Sequence, residues 1–274
     1  MAAALLAVHA ACGGPLTERS HAETAGEIPV GQGITKIRIE IENGTIGVKS
    51  AAGRAVAFAG GIRRAADTAA ELSLLEQVAP ALVGAVDPGD PTLLVVRGPT
   101  RPAAVPSAVM AMELGVHAPA DIPLEIVVGS NGHVTIADRA AATYVETGRG
   151  DLRFENCAGG VTAKTGRGVV ILFGHRGNID VQTKVGDMQA FVEEPDTLIQ
   201  LVTGQGTVQC QVAPSIEFDL DARAETGKIG NGFDLVAEQQ GYRAVLTGRR
   251  GSARTKVVLR TGYGHLSIAP LRAK

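Results

Sequence analysis

From residue 120 onward the chain repeats itself, and no other property of the sequence narrows its folding as much. The turns Ser130-Asn131-Gly132, Gly148-Arg149-Gly150, Gly166-Arg167-Gly168 and Lys184-Val185-Gly186 place their final glycines 18 residues apart. Gly204-Gln205-Gly206 follows after 20, and Gly262-Tyr263-Gly264 ends the series. A threonine precedes most of these glycines at a fixed offset: Thr147, Thr165, Thr183, Thr203 and Thr261, with Thr226 read as a member from a variant copy.

Alternate residues of a strand point to opposite faces, so the parity around each turn tests the repeat. Two and four residues after the glycine stand Val134 and Ile136, Leu152 and Phe154, Val170 and Leu172, Met188 and Ala190, Val208 and Cys210, Leu266 and Ile268, all apolar. The strand before the turn alternates in the same way, as in Val161 and Ala163 or Ile179 and Val181. Gly44, between Ile37-Ile39 and Ile46-Val48, gives an outlying copy of the pattern. Two strands and two turns within 18 residues leave no room for a helix and fit one coil of a solenoid, with coils about 4.8 Å apart. The expected class is all-β: a single-stranded β-solenoid of 18-residue repeats with one inserted helix. The threonines then form an inward ladder whose hydroxyls are satisfied locally. The copy at Phe218, Leu220, Ala222 and Ala224 continues to Phe233 and Leu235 only with an extra residue between Gly227 and Gly232, which predicts a bulge.

Ahead of the repeats, Met1 to Ala11 are apolar apart from His9 and end in small residues before Cys12. That resembles the end of a bacterial lipoprotein signal peptide, which implies cleavage after residue 11 and lipidation of Cys12. His9 and the lack of a preceding Lys or Arg depart from the full pattern; a plain cleaved signal and an unprocessed start are the alternatives. Residues 12–33 are small and polar, with two prolines, and read as a flexible spacer before a domain spanning 34–270. Asn43-Gly44 predicts a tight hairpin between the strands on either side of it. Thr68 and Glu71 have capping-box spacing, and Leu72, Leu75, Ala79 and Leu82 follow at helical intervals, which predicts a helix over 68–83.

Across residues 34 to 270 the alternation, the Thr-x-x-Gly and Ser-Asn-Gly turns and the Pro123-Leu124-Glu125-Ile126 lead-in resemble the bacterial putative-adhesin family, relatives of the adhesin head domains called GIN. The resemblance implies a β-solenoid at the cell envelope or outside the cell. It carries no catalytic residues over to this chain.

The motifs point away from chemistry. The glycine-rich turns lead into strands rather than helix N-termini, so they are not phosphate loops. Cys157 and Cys210 lie three copies apart, about 14 Å along the stack, and are expected to stay unpaired. The position after each turn glycine carries His133, Asp151, Val169, Asp187, Thr207 and His265. Asp151 and Asp187, two coils and roughly 9.6 Å apart, suit an inverting glycosidase only at the upper limit of carboxylate separation. His133 and Asp151 are the one candidate pair for a metal. With 26 basic and 28 acidic residues scattered along the chain there is no nucleic-acid footprint. The expected protein is a non-enzymatic, lipid-anchored envelope protein serving adhesion, binding or scaffolding, without a cofactor. Its expected partners are the membrane, through the anchor, and an unidentified envelope or surface component. The outer membrane is the expected site in a Gram-negative cell, and secretion to the periplasm is the alternative. The alternative function is a β-helix enzyme acting on a polysaccharide.

Overall fold

The computed structural model describes residues 16–194, 198–235, 238–252 and 254–271. The chain begins with β1 (Glu18–Pro29), β2 (Lys36–Ile41), β3 (Gly44–Ala51) and β4 (Ala55–Ala66). The helix α1 (Ala69–Glu76) follows, then β5 (Val83–Val86), β6 (Leu93–Arg97) and β7 (Val109–Pro119). The repeats supply β8 (Leu124–Ala137), β9 (Thr143–Arg149), β10 (Leu152–Glu155), β11 (Val161–Arg167), β12 (Val170–His175), β13 (Ile179–Val185) and β14 (Met188–Val192). They continue through β15 (Leu198–Gln205), β16 (Val208–Val212), β17 (Phe218–Thr226), β18 (Ile229–Asn231), β19 (Glu238–Gln240), β20 (Arg243–Arg250), β21 (Thr255–Tyr263) and β22 (Leu266–Pro270). Among the described residues the protein is nearly all β, with one helix.

Each repeat sends one strand into each of two ladders. In the first, β8, β9, β11, β13 and β15 pair in parallel, so that Val145, Ala163, Val181 and Leu201 stand in one row. In the second, β8, β10, β12, β14 and β16 do the same, aligning Ile136, Phe154, Leu172, Ala190 and Cys210. The long strand β8 serves both ladders, its first half in one and its second half in the other. The row residues are buried and form one apolar cluster with the rest of the core, while the intervening positions stay open to solvent. Parallel strands need a connection between partners, and here the other ladder's strand is that connection.

The last copy does not stack last. Strand β21 pairs with β15 on one side and β17 on the other, and β22 lies between β16 and β18. The segment from β17 to β20 therefore forms the outer end of the array, and the later β21 and β22 are inserted beneath it. Strand β20 covers β17 antiparallel, and β19 covers β20.

Four expectations are corrected. Residues 18 to 29, read as spacer, form β1, which pairs antiparallel with β4 along its whole length. The strand is held by backbone pairing and by close packing that apolar periodicity does not register: a Cβ on Gly26 would lie 2.7 Å from the Phe58 ring. Asn43-Gly44 is a corner and not a hairpin turn, because β2 pairs with β6 and β8 while β3 pairs with β7 and β8. The two strands nevertheless lie directly against β8, 88 positions away in sequence as counted from Gly44 to Gly132, as the shared register implies. The helix has its capping box, with Glu71 N–H donating to Thr68 Oγ1 and Thr68 N–H to Glu71, but it ends at Glu76. Pro80 disfavours helical geometry in the residue before it, and Leu82 is buried from the extended chain beyond. Finally, Gly227 and not Gly232 is the corner of the variant copy. Ile229 pairs with Leu266 and Asn231 with Ile268, so the register needs no bulge, and Thr226 falls opposite Tyr263 on an exposed position while Ala224 takes the place opposite Thr261.

Candidate functional site

Two corners, where the chain passes between ladders, concentrate the polar groups. At the first, Gly44, Gly150, Gly168, Gly186, Gly206 and Gly264 have φ between 135° and 155°. A Cβ on Gly150, Gly168, Gly186, Gly206 or Gly264 would collide with the carbonyl oxygen of the turn glycine one layer below, starting from Gly132. Gly132 itself has no positive φ; its constraint is the Val128 side chain.

Thr147, Thr165, Thr183, Thr203 and Thr261 are buried and stand in register. Thr165, Thr203 and Thr261 donate to the carbonyls of Gly150, Gly186 and Gly206 in the layer below, at 3.4, 3.0 and 3.0 Å. Thr147 and Thr183 donate within their own layer, to Arg149 O and Val185 O. The ladder thus binds the threonine column to the glycine column.

In four of the six repeat turns the position after the glycine carries an acceptor for the next layer's amide. His133 Nδ1 accepts from Asp151 N–H at 3.2 Å, Asp151 Oδ1 from Val169 N–H at 2.8 Å, Asp187 Oδ1 from Thr207 N–H at 2.7 Å and His265 Nδ1 from Lys228 N–H at 3.1 Å. Asp151 and Asp187 are separated by the layer bearing Val169. His133 Nδ1 also lies 3.6 Å from Asp151 Oδ2, but among the described residues no group of three or more His, Cys, Asp or Glu is placed to hold a metal ion. These side chains close backbone donors that the turn would otherwise leave open.

The opposite corner holds a column that the sequence reading missed. Arg139, Cys157 and His175 are 18 residues apart, on successive layers, and each is about 1% exposed or less. The guanidinium of Arg139 donates to the carbonyls of Ala118, Pro119 and Ile122. Burial pushes the Cys157 thiol up, although Arg139 beside it acts the other way. Both Cys157 and Cys210 are free thiols, and burial takes Cys210 up to about 12. His175 shares Nε2 with Asn178 O at 3.3 Å, and its buried Nδ1 has no hydrogen-bond partner among the described residues. The signal was available as an 18-residue spacing of polar residues, but three different residue types hide it.

Burial holds the His175 imidazole below its ordinary value of 6.5. Below about pH 6.5 the unfolded chain takes up a proton that the folded chain refuses, so stability falls as pH drops. We expect the unfolding free energy of the wild type, from urea titrations, to decline between about pH 7.5 and pH 5.5, by up to about 1.4 kcal/mol per pH unit. His175→Val, which copies the apolar Val192 of the next layer, flattens that decline relative to wild type. Equal slopes for the two proteins would remove His175 as the cause.

On the outer face of the first ladder, Asp219, Asp221, Thr247, Arg249, Arg254 and Lys256 line an open, charged cleft across β17, β20 and β21. Its aspartates are already engaged: Asp219 by Arg249 at 2.7 and 3.0 Å, and Asp221 by Arg223 and Arg260. Those arginines hold both carboxyls below the usual range, although burial is the largest influence on Asp221 and opposes them.

No family model and no curated protein matches the chain. Solved structures do resemble it. They include a putative cell adhesion protein from Clostridium sporogenes at 13% identity, covering 93% of this chain and 100% of that one with a TM-score of 0.34. A putative adhesin from Bacteroides fragilis matches at 11% identity, over 91% and 97% of the two chains, with a TM-score of 0.40. One from Parabacteroides distasonis matches at 10%, over 91% and 97%, with a TM-score of 0.32. No helix among the described residues is long and apolar enough to cross a membrane. Cys12 lies outside the described residues.

Proposed function

We propose that this chain is a non-enzymatic envelope protein of the putative-adhesin type, in which the two ladders are the faces of a β-solenoid that presents its outer surface to a binding partner. The observation that carries this reading is the use made of the polar groups in the repeats. The inward threonines are consumed in the ladder, and the corner aspartates and histidines accept amides of neighbouring layers. What the fold leaves available is a long, rigid outer surface, which suits binding better than bond breaking. Such a surface is rigid because each layer is paired on both sides, and a preorganised surface loses little freedom on binding.

The N-terminus completes the proposal: lipid on Cys12 tethers the protein to a membrane, at the outer membrane if the cell is Gram-negative. Cys12→Ser tests it in the full gene. Wild-type protein is expected in the membrane fraction with acyl chains on its first residue, and the variant in the soluble fraction. Adhesion of purified protein to whole cells or envelope fragments tests the binding role; retention no greater than that of an unrelated soluble protein would overturn it.

A further inference from the structure

We propose that the first corner binds an acidic polysaccharide laid along the stack, with Arg149 and Arg167 as its anion clamp; this rests on the binding role above and names the class of ligand. The two arginines are in register on neighbouring layers, about 4.8 Å apart at the backbone, and both are exposed. Neither guanidinium has an ion pair or hydrogen bond among the described residues. Other surface arginines do: Arg38, Arg97, Arg153, Arg249 and Arg260 each face a carboxylate. Two like charges held side by side repel and return nothing to the fold, whereas one anion between them relieves both.

The surroundings keep the clamp open. Each arginine lies between two glycines of the repeat, so bare backbone flanks it on both sides along its own strand. Lys184, in register with Gly166, adds an exposed cation on the following layer. The nearby acids are occupied, Asp151 and Asp187 by backbone amides and Glu146 by the Tyr144 hydroxyl.

The same row continues through Val185 and Gln205 to Tyr263, which is 66% exposed. Arg167 and Tyr263 are three layers apart, about 14 Å, so a single small anion cannot touch both and a linear polymer can. A sugar ring can stack on Tyr263 while hydroxyls meet Gln205. A nucleic acid fits worse, because the row carries a single exposed ring, Tyr263, where single strands stack successive bases on several.

The test is affinity electrophoresis of the full chain in gels containing polygalacturonate, heparin or neutral dextran. The acidic polymers are expected to retard the wild type, less so as salt rises, and dextran is not. Arg149→Gln with Arg167→Gln should weaken retardation at least tenfold, and Tyr263→Ser severalfold, with unchanged circular dichroism. A control pair, Arg19→Gln with Lys49→Gln, removes the same charge away from the ridge and the cleft and should leave retardation unchanged. Equal retardation of the double arginine variant, or none of the wild type, overturns the proposal. Adhesion of the same proteins to envelope fragments separates the two readings. If wild type and the arginine variant adhere equally, the ridge is wrong and the binding role stands; if neither adheres, both are wrong.

Discussion

Gly168→Ala is expected to cost about 3 kcal/mol or more, and Gly186→Val to prevent folding. Gly168 has a φ of 155° and Gly186 of 150°, where a side chain is strained whatever the space around it. Space is also missing. The added Cβ would lie 2.0 Å from Gly150 O in one case and 1.9 Å from Gly168 O in the other, far inside contact distance of the turn glycine below. Relief requires the layers to part, which lengthens the interlayer hydrogen bonds from Gly150 N–H to Arg167 O and from Gly168 N–H to Val185 O, now 2.7 and 3.0 Å. Urea unfolding measures the loss, and Gly230→Ala is the control, because a Cβ there meets nothing within 4 Å. A Gly168→Ala protein as stable as the control would show that the layers are not packed in this register.

The repeat was legible because its signal is redundant: turn glycine, threonine and apolar parity all carry the same period. Parity placed Ile37 and Ile46 against the repeats although 88 residues separate Gly44 from Gly132 in the register. It could not show which copies are neighbours. Any layer with the inward pattern fits any other, so the insertion of β21 beneath β17 left no trace in the apolar rows. The Gly column carries that order physically, since Gly264 packs on Gly206 and Gly227 on Gly264. The strand β1 was missed for another reason. The side it turns to the core carries Ala22, Thr24 and only one large apolar residue, Ile28, and its hold on β4 is backbone pairing that hydrophobic patterning does not measure. Asn43-Gly44 misled because the conformational freedom that makes a hairpin turn also makes a corner between ladders. For the site, Asp151 and Asp187 stood out by residue type, yet the unpaired arginines beside them became visible only once every other partner was known.

Arg139→Met is expected to destabilise the protein by about 3 kcal/mol or more, because three buried carbonyls lose their donor at about 1–3 kcal/mol each. Arg139 is 1% exposed, yet it is a cation, and it is held there by its bonds to the carbonyls of Ala118, Pro119 and Ile122. Ala118 and Pro119 end β7 and Ile122 lies in the link to β8, so the side chain fastens the strands before the repeats to the first repeat layer. Methionine fills similar volume but offers no donor, and three buried acceptors then lose a partner at once. Lysine restores the charge without the planar fork and should recover only part of the loss, because one ammonium cannot reach as many carbonyls in a fixed geometry. The damage is expected to be local first. Amide hydrogen exchange should rise in residues 118–124 and in the backbone donors from Ala158 and Gly159 to Arg139 O, while β13 to β16, several layers away, stay protected. Uniform exchange along all layers would mean that Arg139 supports the whole array rather than this junction, and an unchanged urea midpoint would mean that water replaces it at no cost.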